Sequence, residues 1–213
     1  IVKNAKLLKE VSYIEAIEMA MFGAKQIHPR TFEPLLAKKI PMHIRSSFNV
    51  KNEGTLVTSS PSPAAKNTVK CVSNVSHNGL IDIRGGSMVG TPGTAGKIFS
   101  TLANAGINVM MISQNPSESS ITIVVKNPDL DKAVNTLEME LLGKIIKKLE
   151  VTTNMAIIAL IGSGMRGTVG VASKVFGSMA KNKVNVSMIT QGSSELNLAW
   201  SYMEHSWGIK CGK

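Results

Sequence analysis

Four side-chain amides carry the most chemical information in this chain. Asn108 and Gln114 stand six residues apart, and Asn185 and Gln191 repeat the pair 77 residues later. An amide offers both a donor and an acceptor. Side chains alternate along a strand, so two residues six apart share a face. Two amides held this way can grip the ammonium and the carboxylate of a free amino acid. Ahead of the first pair runs a glycine-rich loop, Gly90, Thr91, Pro92, Gly93, Thr94 and Ala95. A helix starting there presents free backbone N–H groups that favour a carboxylate. The same amides can instead satisfy the backbone of their own turns, and the residues alone leave both roles open.

Hydrophobic periodicity supplies the elements that must position these groups. Gly79–Ile83 has a strand pattern, and Gly85 to Gly93 is a glycine-rich turn. Ala95, Ile98, Phe99 and Leu102 mark one face of a helix that Gly106 ends. Ile107–Ser113 reads as a second strand, begun near Asn108 and closed by Gln114. The turn Asn115–Ser119 leads to a third strand, Ser120–Val125. Asp129–Leu142 is a helix with Leu130, Ala133, Val134, Leu137 and Leu141 inward, and Lys147–Thr152 is a fourth strand. The order βαββαβ is the ferredoxin-like split unit, and the fold class is α+β.

The unit is duplicated. With an offset of 77, Ile81 maps to Ile158, Gly85 to Gly162, Met88 to Met165, Gly90 to Gly167 and Gly93 to Gly170. Phe99 maps to Phe176, Met111-Ile112 to Met188-Ile189, and Ser117-Glu118 to Ser194-Glu195. A register kept over that span is an internal repeat. It fails after Leu198, where a segment with both tryptophans, Trp200 and Trp207, replaces the first copy's third strand, helix and fourth strand. The second unit is therefore expected to lack its closing helix and strand, which leaves apolar surface for a partner chain.

Upstream, Ser12 and Glu15 form a capping-box pattern before Ala16, Met19, Ala20 and Gly23 at helical spacing. That helix is expected to end near His28-Pro29. A second helix is expected over Thr31–Lys38, a strand over Met42–Arg45, and a linker from Thr58 to Ala65. The net charge of +10 comes from scattered lysines, aromatics make up 4%, and no nucleic-acid signature accompanies them. No apolar run reaches the roughly 20 residues of a membrane span. Cys71 and Cys211 make neither a metal pattern nor a disulfide framework, so a cytoplasmic setting is the default. The chain begins at Ile1, and it reads as a fragment or a processed chain.

Taken together, Gly90-Thr-Pro-Gly-Thr-Ala-Gly-Lys-Ile-Phe and Ala105-Gly-Ile-Asn-Val-Met-Met-Ile-Ser-Gln resemble an ACT domain, an amino-acid-binding regulatory module. Ser12-Tyr13-x-Glu15-Ala16, Met21-Phe-Gly-Ala-Lys-x-x-His-Pro-Arg-Thr31 and Ile40-Pro-Met-His-Ile-Arg45 resemble the end of the aspartate kinase catalytic domain. The resemblance implies four regions: residues 1–57 from the kinase catalytic domain, 58–77 as linker with a strand shared with the second ACT unit, 78–152 as the first ACT domain, and 153–213 as a second, C-terminally truncated or altered one.

In that family the enzyme transfers the γ-phosphoryl of ATP, with Mg2+, to the β-carboxylate of aspartate, at the first step toward lysine, threonine and methionine. The resemblance gives Lys25 the role of reaching the nucleotide phosphates, while His28 and Pro29 shape the turn. It gives effector contacts to Gly90, Thr91, Pro92, Gly93, Thr94, Ala95, Asn108, Val109 and Gln114, and in the second copy to Val171, Ala172, Asn185, Val186 and Gln191. Effectors sit between ACT domains of two subunits, which implies a homodimer or higher oligomer. Lysine-sensitive members often carry an acid where this chain has Met110 and Ser187, so threonine is the preferred effector and lysine the alternative. The family's N-terminal nucleotide and aspartate motif is absent, so no catalytic residue, bound cofactor or metal is expected here. A free-standing, non-catalytic regulatory subunit is the competing reading.

Overall fold

The structure, a computed structural model, describes residues 5–24, 27–62 and 68–204. The N-terminal piece consists of β1 (Glu10–Ser12), α1 (Tyr13–Met21), α2 (Phe32–Lys38), β2 (Met42–Ile44) and β3 (Thr55–Thr58). Its three strands form one small sheet in the order β1-β3-β2. The capping box is present: Ser12 Oγ accepts from the Glu15 N–H, and Glu15 accepts from the Ser12 N–H at 2.8 Å. α1 stops well short of His28, because the chain turns at Gly23 with φ +100°. A side chain there would begin 3.0 Å from the Asn74 carbonyl, so glycine permits both the turn and the close approach. His28 and Pro29 open a short 3₁₀ turn ahead of α2, with the Arg30 N–H donating to His28 Nδ1 at 3.3 Å.

The rest of the chain builds β4 (Cys71–Arg84), α3 (Thr94–Asn104), β5 (Met111–Gln114), β6 (Ser120–Lys126), α4 (Asn127–Leu141), β7 (Lys148–Ile161), α5 (Val171–Lys181), β8 (Met188–Gln191) and β9 (Asn197–Met203). Six strands form one antiparallel sheet in the order β5-β6-β4-β7-β9-β8. The expected strands at Gly79–Ile83 and Lys147–Thr152 are each one half of a strand of 14 residues.

β4 and β7 pair along their length in a self-consistent register. Ile81 faces Val151 and Asn74 faces Ile158, and the offset of 77 converts one pair into the other. The sheet thus has a pseudo-twofold axis between its central strands. His77 and Asn154, also 77 apart, both take left-handed φ values of 63° and 57°. They flank the register shift, and such a bulge changes which face the following residues occupy. Each long strand consequently serves both units. Asn78–Arg84 pairs with β6 and opens the first unit, while Cys71–Val75 lies beside Ile157–Ile161 as the closing strand of the second.

This overturns the expectation of a second unit without a closing strand, since that strand arrives from upstream. The divergent segment also keeps the third strand: β9 pairs with both β7 and β8 despite its altered sequence. No counterpart of α4 covers the second unit among the described residues.

Three apolar clusters follow. Ile81, Ile83, Ile121 and Ile123 pack beneath α3 and α4 through Ile98, Leu102, Leu130 and Leu137. Ile158, Leu160, Leu198 and Trp200 pack beneath α5. The third cluster joins Leu80, Val124, Met155, Ile157, Ile161 and Met188 to Tyr13, Ala16 and Met19 of α1 and to Phe32 of α2. The N-terminal piece is thus bound to the sheet through a shared core. No helix among the described residues is long and apolar enough to cross a membrane.

Candidate functional site

Both glycine-rich loops are built alike. Gly90 and Gly93 have φ of +64° and +84°, and Gly167 and Gly170 have +67° and +87°. Each loop is fastened by a glutamate from the following hairpin. Glu118 accepts from the Gly90 N–H at 2.9 Å, and Glu195 accepts from the Gly167 N–H at 2.7 Å. Both glutamates adopt left-handed backbone, φ 56° and 54°, which turns the hairpin back toward the loop. The sequence signal was the repeated Ser-Glu dipeptide, but no role follows from it until the hairpin is seen beside the loop.

In the first unit the loop encloses a cavity of about 320 Å³. Gly90, Thr91, Pro92, Gly93, Thr94 and Ala95 form one wall, Gln114 and Glu118 the other, with Met88 and Ile121 behind. Gly93 caps α3 without a side-chain bond, which leaves first-turn N–H groups without a side-chain cap. Thr94 turns its hydroxyl to the Thr91 carbonyl at 2.9 Å, tightening the loop. Gln114 lines this cavity together with the loop. Asn108 does not join it: it lies exposed in the segment before β5 and is not among the residues lining this cavity. The strand expected from Ile107 begins only at Met111, because Ile107 is still tied to the helix end by its N–H bond to the Leu102 carbonyl. Val109 packs against the core beneath α3.

In the second unit Gly170 and Val171 border a different and larger space of about 690 Å³, floored by Ile158, Leu160 and Trp200. This is the face that α4 covers in the first unit. Ala172, Asn185 and Gln191 are exposed, and Val186 packs against the cluster beneath α5. Lys25 lies outside the described residues. No three His, Cys, Asp or Glu side chains among the described residues are grouped to hold a metal.

A second polar centre joins the N-terminal piece to the second unit. Glu15, fully buried, accepts from Lys70 Nζ at 2.8 Å and from the Ser163 N–H at 2.8 Å, besides its capping bonds. Burial by itself pushes the Glu15 pKa up. The hydrogen bonds from Lys70 and from the amides of Ser12 and Ser163 outweigh it and hold the carboxyl down at about 2. One turn along α1, Glu18 accepts from Asn197 Nδ2 at 2.6 Å. α1 therefore grips both the start of the second glycine-rich loop and the first residue of β9. The local pattern around Glu15 shows a helix cap and part of the kinase-like motif, but not these partners, which are 55 and 148 residues away.

Comparison with known proteins places these features. The model of the ACT domain family matches residues 81–141 and 158–200, and that of the amino acid kinase family matches residues 1–46. The chain is 37% identical over 206 residues to the chloroplastic bifunctional aspartokinase/homoserine dehydrogenase 2 of Zea mays, covering 92% of this chain and 22% of that protein. It thus spans less than a quarter of that relative's length. Among solved structures, E. coli aspartokinase III in complex with lysine and aspartate superposes with a TM-score of 0.76 and 30% identity, over 94% of this chain and 44% of that one. The regulatory subunit of aspartate kinase from Thermus flavus superposes at 0.58 with 26% identity, over 65% of this chain and 91% of its own.

Proposed function

Because this chain belongs to the aspartate kinase family, as its tandem ACT regulatory portion joined to the end of the catalytic domain, we propose that it senses a free amino acid and restrains the kinase of a longer enzyme. That enzyme phosphorylates aspartate with ATP and Mg2+. The observation that carries the reading is the cavity in the first unit, which the start of α3, without a side-chain cap, and Gln114 line together. The helix start suits the effector's carboxylate, and the Gln114 amide oxygen suits its ammonium. Threonine is the preferred effector. The positions of Met110 and Ser187 offer no acid for a second ammonium, and Glu118 is already engaged with the loop. Lysine is the alternative, as the E. coli relative was captured with it. Two copies are proposed to meet through their ACT domains, where Ile112 and Ile189 are exposed on the outer strands.

The competing reading is a separate regulatory subunit. The kinase-family match over residues 1–46, and the core that this stretch shares with the sheet, favour the joined arrangement. Calorimetry with threonine, lysine and methionine tests the sensing role, and a folded sample that gives heat with none of them refutes it. Gln114→Ala is expected to weaken the binding of the effector by roughly 1–3 kcal/mol.

A further inference from the structure

We infer that the first unit carries a second ligand site, bounded by Lys147, Gly86 and Arg84, that binds the carboxylate of a small polar molecule. The pseudo-twofold axis supplies the reasoning. Lys147 and Lys70 are equivalent: each donates its N–H across the sheet at 2.8 Å, Lys147 to the Arg84 carbonyl and Lys70 to that of Ile161. Gly85 and Gly162 are equivalent too, donating to the carbonyls of Ser119 and Leu196 at 3.2 and 3.0 Å. Gly86 therefore stands where Ser163 stands in the second unit.

In the second unit that place holds a carboxylate. Glu15 bridges the Lys70 ammonium and the Ser163 N–H, each at 2.8 Å. In the first unit the same two donors converge. Lys147 Nζ lies 3.5 Å from where a side chain on Gly86 would begin. Neither the Lys147 ammonium nor the Gly86 N–H has a partner among the described residues. Between them opens a cavity of about 440 Å³, completed by Arg84, Asn115, Ser119 and Ser120. Asp82 also lines it, but its oxygens are taken by Arg84 at 2.6 Å and by the Thr122 hydroxyl at 2.9 Å. Arg84 is further paired with Glu150 at 3.0 Å, so Lys147 is the cation left for a ligand.

The surroundings decide the kind of occupant. α1 delivers Glu15 by packing over Ile157, Ala159 and Ile161. The equivalent positions of the first unit are Leu80, Asp82 and Arg84, which would place charge beneath a docked apolar helix. A free molecule with a carboxylate and a polar body suits this place, and the volume lies at the small end of ligand pockets.

The test is a titration of the uniformly ¹⁵N-labelled chain with succinate, read at the Gly86 amide, with neutral succinamide as control. A saturable shift with succinate, absent with succinamide, is expected. Lys147→Met should weaken it at least tenfold, while Lys144→Met, an exposed neighbour, should leave it unchanged. A shift that never saturates, that succinamide reproduces, or that survives Lys147→Met overturns the site. A Gly86 shift that grows with protein concentration alone would assign the pocket to an acidic side chain of a second copy, and so refute the small-molecule site. Lys147 is exposed, so its substitution leaves the core intact.

Discussion

The two repeats share a backbone but not a set of neighbours. Each has the loop with two left-handed glycines, the glutamate latch and the strand pattern. Yet the first unit has its own α4 over one face, while on the other only its near end, with Leu80 and Val124, joins the shared core and the far end carries Asp82 and Arg84. Among the described residues, the second leaves the first of these faces open and gives the other to α1. Position by position, Asp82 and Arg84 of the first unit correspond to Ala159 and Ile161 of the second, where a helix is buried. Duplication preserves what the main chain needs. The side chains on a face then report what lies against it.

The comparison can be broken most severely at Glu15. Glu15→Ala strands the buried Lys70 ammonium, and a loss of about 3–5 kcal/mol in denaturant unfolding is expected. Glu118→Ala, which removes an exposed latch in the other unit, should cost far less; equal losses would deny the second unit its special anchor. The same carboxylate predicts a pH dependence. Its pKa is lowered from 4.5 to about 2 on folding, so its contribution is complete above pH 4.5. It is lost as pH falls through 2, an effect of about 3 kcal/mol. Glu15→Gln should flatten the stability profile in that window, and an unchanged slope would show that other carboxylates govern it.

A matched pair tests the open face. Ile81 and Ile158 are equivalent, but Ile81 lies under α4 whereas Ile158 borders the open space. Ile81→Ala should cost about 3–4 kcal/mol and Ile158→Ala about 1–2 kcal/mol less than that. Similar losses would mean that the second face is covered in solution. The smallest effect is expected at the latches. Glu118→Gln and Glu195→Gln each replace a charge-assisted bond to an N–H by a neutral one, at about 0.5–1 kcal/mol. Faster amide exchange at Gly90 or Gly167 respectively is the measurement. Loosening of both loops by one substitution would show that the latches are not independent.

Much of this was legible in the residues. The repeat, α3 and its glycine stop, and the inward Leu130, Ala133, Leu137 and Leu141 of α4 all rest on local spacing. The resemblance to aspartate kinase came from short motifs that also lie close in sequence. What stayed hidden was long-range. Only the resemblance placed a shared strand within 58–77; Ser73, Asn74, Ser76 and His77 extend β4 there, beside β7, with polar side chains that carry no strand alternation of their own. The closing strand of the second unit therefore had no apolar signature. Glu15 satisfied a helix cap so well locally that nothing in its spacing pointed to Lys70. Asn108 misled in the other direction. Its repetition suggested a strand residue, but the turn that ends α3 delays the strand by four positions, from Ile107 to Met111.

The sharing of β4 between units also bears on how the chain matures. A polypeptide made from its N-terminus exposes Cys71–Val75 first and must wait until Ile157–Ile161 has been synthesised before that half finds its partner. By then the other half of the strand has all it needs to fold with β6 and α4. The first repeat can thus act as a template on which the second is assembled, with the free half of β4 already held in line. The cost is an edge left unpaired during synthesis, and that interval is when nascent chains of this architecture are most exposed to aggregation.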